Sequence, residues 1–350
     1  MLYIIIGILF FGLLIAVHEW GHFITAKKLD VQVNEFSIGM GPALWSKQKG
    51  ETQYSLRAFP IGGYCAMEGE DADTEGNPRS FAAKPLWRKL IILVAGSFMN
   101  LLAGFIIVAI LFSMVESYSV PVLRETMDGC PAAGILMPGD RILNIDGQRV
   151  TVFYDLSSAL SDGGDEKTIT VRRDGRRLTL PDVPLPLQEY EDNGQTMKLY
   201  GLRFCREEPT LPGVLAESWR TCDYFARLVW EGLGMLVRGQ VGLSDISGPV
   251  GIVSTLEEVG SQGATVSDGM QNVLFVIALI AVNLAVMNML PIPGLDGGRV
   301  FLLLAGELFY LVTRRRLNPK YEGYLNAGFL VLILGFMAVV TMSDVWKLVK

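Results

Sequence analysis

LYIIIGILFFGLLIAVHEWGHFI, residues 2–24, carries no charge from its start to Val17 and gathers its ionisable groups, His18, Glu19 and His22, toward its end. The bilayer's hydrocarbon core needs about 20 apolar residues to span, so this stretch reads as a membrane helix bearing a polar motif near one face. His18 and His22 are the only two histidines in the 350-residue chain. Four apart on a helix, they stack two imidazoles on one face, within reach of a single Zn2+. Glu19 beside them can take a proton from a water that such a metal activates. Ionisable groups at membrane depth are costly and are by default functional, which weighs against a simple polar helix cap. With no basic n-region and no small-residue cleavage site, the stretch is expected to stay on the chain as a span.

Working outward, half of the residues are hydrophobic, 19% are charged and the mean hydropathy is positive, a membrane-protein balance. Leu90 to Val115, Gly269 to Leu295 and Gly323 to Ser343 are also long enough to cross, giving four spans. Cys222 to Val237 and Val300 to Thr313 are apolar but carry charges, as interfacial or packed amphipathic helices do. Thr25 to Lys89 holds nine Lys or Arg, and Arg299, Arg314, Arg315, Arg316 and Lys320 crowd the connection between spans three and four. The positive-inside rule puts both connections in the cytoplasm and Glu116 to Asp268, with 14 basic and 23 acidic residues, outside. Nothing in this balance points to nucleic acid. Cys65, Cys130, Cys205 and Cys222 lack metal-ligand spacing; a Cys130–Cys205 bridge and unpaired packing thiols both stay open.

The external segment reads as a small β domain over about 119–206. Lys167 to Arg173 alternates apolar and polar residues, Asp174-Gly175 supplies a tight turn, and Arg177 to Leu180 resumes the alternation. Asp155 to Leu160 reads as a short helix capped by its Asp. Pro131-Ala-Ala-Gly134 and Pro138-Gly-Asp-Arg-Ile-Leu-Asn-Ile-Asp-Gly147 resemble the loop-and-strand signature of PDZ domains, which bind a chain end as an added strand. A plain β spacer is the simpler alternative.

Two imidazoles leave zinc short of a third protein ligand. Glu307, Asp344 and Asp296 are candidates. Asp296, in Asn288-Met-Leu-Pro-Ile-Pro-Gly-Leu-Asp-Gly-Gly298, is favoured because spans one and three both end at the cytoplasmic face. Asn283 and Asn288 can stabilise an oxyanion, clamp substrate backbone, or merely bond between helices. Asn100, with Gly96 and Gly104 at four-residue spacing, reads as a close-packing device of span two.

With these motifs the chain resembles the site-2 proteases, intramembrane zinc peptidases of family M50, in their bacterial PDZ-containing branch. Gly39-Met-Gly-Pro42, Gly50-Glu-Thr-Gln-Tyr54, Pro60-Ile-Gly-Gly-Tyr64 and Gly248-Pro-Val-Gly-Ile252 extend the resemblance almost end to end. It implies one Zn2+ per chain held by His18, His22 and Asp296, with Glu19 as general base, and a substrate-contact role for Asn283 and Asn288. It also implies a mainly α-helical membrane protein of four transmembrane helices, a re-entrant β element on the cytoplasmic side and one extracytoplasmic PDZ domain. The expected organisation is 1–118 (spans about 2–24 and 90–115 flanking a β region about 33–70), 119–206 (PDZ), 207–268 (amphipathic helical connector) and 269–350 (spans about 269–295 and 323–343).

Gln53 to Arg57 alternates like a strand in a Gly- and Pro-rich region, so Tyr54, Ser55, Leu56 and Arg57 are expected to form an edge that pairs with unwound substrate. Unwinding is needed because a peptide bond inside a helix is shielded, and lipid offers its backbone no partners. The expected substrates are single-pass membrane proteins: anti-sigma factors already trimmed by a site-1-type protease, and remnant signal peptides. A peptide C-terminus at the PDZ domain and the lipid bilayer complete the expected partners, at the plasma or inner membrane. A catalytically inactive PDZ adaptor is the alternative, and a zinc carrier is a weaker third. Three departures stand out: Ser97 where many relatives have Pro, Arg299 where many have His, and one PDZ domain where the branch's type member has two.

Overall fold

The computed structural model describes residues 2–70, 77–192, 195–242, 247–315 and 319–349. In chain order come α1 (Leu2–Lys28), β1 (Val33–Lys49), β2 (Thr52–Met67), α2 (Leu86–Met114), β3 (Tyr118–Thr126), β4 (Arg141–Ile145), β5 (Gln148–Arg149) and α3 (Phe153–Ser161). They are followed by β6 (Glu166–Arg173), β7 (Arg176–Pro184), β8 (Gln188–Asp192), β9 (Gln195–Leu199), β10 (Leu202–Glu207) and α4 (Leu211–Val237). The chain closes with α5 (Pro249–Ser261), α6 (Val266–Asn288), α7 (Asp296–Thr313) and α8 (Pro319–Val349). Two compact units result: residues 1–107 with 225–350, and residues 108–224, the divisions falling inside α2 and α4.

Among the described residues α1, α2 and α6 are long and apolar enough to cross a membrane. Lys27 and Lys28 sit in the last turn of α1, where cations complement the helix dipole. α6 starts earlier than Gly269 because Thr265 and Asp268 cap its first turn reciprocally. It ends at Asn288, short of Leu295, since Pro291 and Pro293 cannot continue a helix. α8 is a single helix of 31 residues over the fourth expected stretch.

β1 and β2 are not a simple hairpin. Gly39 and Gly41 hold positive φ (85° and 87°), which a side chain would strain, and there β1 bends so that its halves pair differently. Residues 33–40 pair on one side with 59–67 and on the other with Gln53–Leu56, while 43–49 pair with 52–57. Tyr54 to Leu56 is therefore inner, paired on both sides, and Arg57 pairs on one side with Ala43, correcting the expected edge. The bend at Gly39 to Pro42 lets the two arms of β1 flank it, and the outer strands are 43–49 and 59–67.

Lys27 of α1 and Arg79 both pair with Glu51 at the β1–β2 turn, and Arg79 and Lys84 pair with Asp30 just past α1. Hydrogen bonds from Arg79, then from Lys27, hold the Glu51 carboxyl down at about 2 against the opposing effect of burial. A carboxylate depressed on folding stabilises above its ordinary value of 4.5, and that stabilisation drains away as pH falls toward about 2. The melting difference between wild type and Glu51→Gln in detergent should thus be present at pH 6 and vanish near pH 2. A pH-independent difference would refute the assignment.

The second unit is a sheet in the order β10-β3-β4-β6-β7, with β5 paired to β4, beside the small β8–β9 pair. Leu123, Ile142, Ile145, Leu156, Leu160, Ile169 and Val171 form its core with α3. The β6–β7 turn is Asp174-Gly175, both at positive φ (50° and 76°), the geometry that closes a two-residue hairpin. α3 begins two residues before Asp155, which caps it from inside: its carboxylate accepts the N–H groups of Thr151 and Val152. Asp140, fully buried, accepts two hydrogen bonds from Arg173 and one from the Met137 N–H. Burial opposes its ionisation, but Arg173 outweighs it and the carboxyl lies below its usual value. All four cysteines are free thiols.

Asp344 of α8 is spoken for. Its Oδ2 accepts the N–H groups of Gly248 and Gly251, each at 2.8 Å, and so caps the first turn of α5 from a distant helix. Asp344→Ala leaves two N–H groups unpaired at a buried helix end, an expected cost of about 1–3 kcal/mol. A melting temperature in detergent indistinguishable from wild type would show the cap to be dispensable.

Candidate metal centre

The buried residues of α1 are Gly7, Leu14, His18, Gly21, His22 and Ala26, one stripe at helical spacing, so the histidine motif faces inward. Gly21 lets the α1 and α2 backbones meet: a Cβ there would stand 2.5 Å from the carbonyl oxygen of Ala95. Gly96 does the same for the imidazoles. A Cβ at that position would lie 2.7 Å from His18 Cε1 and closer still to His22 Nε2.

Asp296 arrives from the other end of the chain. After α6 stops, Gly297 and Gly298 pack directly on the preceding turn, where a Cβ on Gly298 would meet Pro293 N at 2.8 Å. The sharp fold-back starts α7 at Asp296 itself, and a carboxylate in a helix's first turn is favoured by the dipole. Arg299, one turn on, pairs with Glu70 beyond β2.

Three donor atoms converge. Asp296 Oδ2 is 3.1 Å from His18 Nε2 and 3.2 Å from His22 Nε2, and the two nitrogens are 3.2 Å apart. Zinc–ligand distances of about 2.0–2.2 Å at tetrahedral angles place ligand atoms roughly 3.3–3.5 Å apart, close to this triangle. Asp296 Oδ2 is buried with no hydrogen-bond partner, as a lone pair kept for a cation would be. His22 Nδ1 lies 2.8 Å from the Ile92 carbonyl, which can only accept, so Nδ1 carries the hydrogen and Nε2 presents its lone pair. The histidines are 9% and 6% exposed, a setting that excludes bulk water from the donors. Among the described residues this is the group of His, Cys, Asp or Glu that could hold a metal; Glu307 is not part of it.

A cavity of about 280 Å3 opens beside the triangle, lined by Ile15, His18, Glu19, Asn100, Asn288 and Asp296 among others. Glu19 also approaches the outer strand 59–67, since a Cβ on Gly63 would come 3.3 Å from Glu19 Cγ. Asn288 lines this cavity. Asn283 does not, and it is exposed on α6. Five residues at about 100° each turn the two asparagines roughly 140° apart, a separation the sequence already contained.

The other expected contacts lie in the small sheet. Tyr54 packs on Phe23 and Phe36, Ser55 is buried and Leu56 is exposed. Arg57 is engaged within the sheet: Nε donates to Ser37 Oγ (3.0 Å), Nη1 to the Gly41 carbonyl (2.7 Å) and Nη2 to Glu35 (2.8 Å). Sequence reasoning missed two α2 contributions, the Ile92 carbonyl and Asn100. Asn100 shares a helix face with Gly96, a spacing read from the sequence as packing alone, whereas the Ile92 contribution is a main-chain carbonyl that no side chain advertises.

Sunk among membrane-length helices, a donor triangle with a carboxylate at its rim is the equipment of a metallopeptidase that works from within a membrane protein. The model of Peptidase family M50 matches residues 6–336, and the chain belongs to that family. It is 36% identical over 349 residues to a provisionally named zinc metalloprotease of Clostridium acetobutylicum, covering 98% of this chain and 97% of the relative. A Fusobacterium nucleatum protein with the same provisional name is 32% identical over 349 residues, 98% of each chain. The regulator of sigma-W protease RasP of Bacillus subtilis is 26% identical over 432 residues, 99% of this chain and 98% of the relative. The chain is a zinc metalloendopeptidase of the site-2 protease type, in a membrane protein.

Proposed function

We propose that this enzyme cuts single-span membrane proteins within the bilayer, with Zn2+ held by His18, His22 and Asp296 and with Glu19 as general base. The observation that carries the reading is the donor triangle, with edges of 3.1–3.2 Å, opening on a cavity that Glu19 lines. Bound there, zinc would supply Lewis acidity, lowering the pKa of a water toward neutrality and polarising a peptide carbonyl. Glu19 receives the proton of the attacking water and returns it to the leaving amine. Asn288, on the same cavity, donates to the substrate carbonyl as negative charge grows on its oxygen. The buried walls limit water to what the cavity admits.

The substrate backbone must unwind and find partners. In this reading they come from the outer strand 59–67, which runs past Glu19, in place of Tyr54 to Arg57. Asn283, on an exposed face of α6, is placed to meet a substrate helix approaching from the lipid.

Four crossings, α8 being the fourth, put both basic connections in the cytoplasm, the metal centre toward that side and the β unit outside. The β unit reads as a PDZ domain that admits substrates trimmed by a site-1-type protease. Its Pro138-Gly-Asp140 loop, pinned by Arg173, supports that reading. Trimmed anti-sigma factors and remnant signal peptides are the proposed substrates, and the name of the B. subtilis relative favours the first. An inactive adaptor would have no need of an intact donor set with Glu19 beside it.

The test incubates purified enzyme with single-span substrates in detergent or liposomes, with and without a zinc chelator, and maps fragments by mass spectrometry. Chelator-sensitive cuts inside the span are expected. Cuts confined to the flanking loops, or insensitive to chelator, would overturn the proposal.

A further inference from the structure

We propose that Asn100 is a positioning residue of the metal centre: its side-chain oxygen accepts the Nδ1–H of His18 and holds that imidazole with Nε2 toward the donor triangle. The inference rests on the reading of His18 as a zinc ligand and deepens it.

A neutral imidazole has one N–H and one lone pair. His18 Nε2 is the atom that faces Asp296 Oδ2 and His22 Nε2, at 3.1 and 3.2 Å. If its lone pair goes to a cation, the hydrogen belongs on Nδ1, and a buried N–H requires an acceptor. The amide of Asn100 meets Nδ1 at 3.4 Å, and Asn100 is 1% exposed. With its nitrogen turned to Nδ1, two N–H groups would oppose each other while Asn100 Oδ1 stays buried with no partner. Amide oxygen and nitrogen have nearly the same shape and are assigned from their hydrogen bonds. Turning the amide by half a revolution gives Nδ1–H its acceptor and the orphaned oxygen its donor. The amide hydrogens then project from a residue that lines the cavity, where a water or a substrate oxygen can receive them.

His22 supplies the parallel. Its Nδ1 is held by the Ile92 carbonyl, eight residues before Asn100 on the same helix. One stripe of α2 therefore grips both imidazoles by their far nitrogens, and Gly96, midway, leaves space for the rings. Asn100 thus belongs to the site, which replaces its reading as a packing residue.

The experiment measures zinc affinity of the full-length protein in detergent by competition with a chelator, together with the visible spectrum of the cobalt(II)-loaded form. Asn100→Leu keeps the shape and removes the acceptor; Asn100→Asp keeps an acceptor. Zinc binding about 10–100-fold weaker in the leucine variant, with altered cobalt bands, is expected, and recovery to within a few-fold in the aspartate variant. Should the leucine variant not fold, Asn100→Ala carries the same comparison with the same expected loss. Wild-type affinity in the acceptor-less variant, or equal loss in a folded aspartate variant, overturns the role of Asn100. A His18→Ala protein with undiminished zinc would instead overturn His18 as a ligand.

Discussion

Glu19→Gln is expected to cleave a single-span substrate about 10²–10⁴-fold more slowly than wild type while keeping its zinc. The two halves of that outcome come from separate parts of the geometry. The proposed donor atoms are His18 Nε2, His22 Nε2 and Asp296 Oδ2, and Glu19 is not part of that group, so its amide should leave the metal in place. Glu19 does line the cavity beside that group, where the proposed mechanism brings a water and a peptide bond together, and glutamine has the shape of glutamate without a basic oxygen. Single-turnover cleavage with metal analysis of the same samples makes the check. Wild-type cleavage would remove Glu19 from the base role, and lost zinc would make it a ligand or a structural support.

The sequence made the first span, its inward motif and the Asp174-Gly175 hairpin legible, because each depends on neighbours within a few residues. Asp296 could be placed near the histidines because two spans expected to end at the same membrane face would bring their ends to one depth. Longer-range features were hidden for physical reasons. The inner position of Tyr54 to Leu56 follows from a bend at two glycines that re-pairs both halves of β1, which alternation alone cannot reveal. Asp344 resembled a spare carboxylate, and only folding discloses that two N–H groups of a helix start more than ninety residues earlier consume it. The Ile92 contribution is a main-chain carbonyl, so no side chain advertises it. α6 shows the opposite case, where helical geometry already separated Asn283 from Asn288 and the five-residue spacing went unused.

Gly96→Ala should weaken zinc binding by at least about 100-fold, beyond what removal of an outer hydrogen bond typically costs. In an ordinary helix interior the exchange stabilises by up to about 1 kcal/mol, because alanine loses less backbone freedom on folding. Here the added methyl would stand 2.7 Å from His18 Cε1, against the roughly 3.5–4.0 Å at which carbon atoms rest. The nearer ring atom is His22 Nε2, one of the donors, so relief must come from the imidazoles turning or from α2 retreating from α1. Retreat would also part the close crossing at Gly21 and Ala95, and turning would break the His22 Nδ1 bond to Ile92. Either route opens the triangle. Gly306→Ala serves as the control: it lies on α7, the helix that begins at Asp296, and its Cβ would meet nothing within 4 Å. That variant should keep wild-type zinc affinity. If Gly96→Ala retains zinc as tightly as Gly306→Ala does, then α2 does not wall the imidazoles in place, and the proposed arrangement of the centre is wrong.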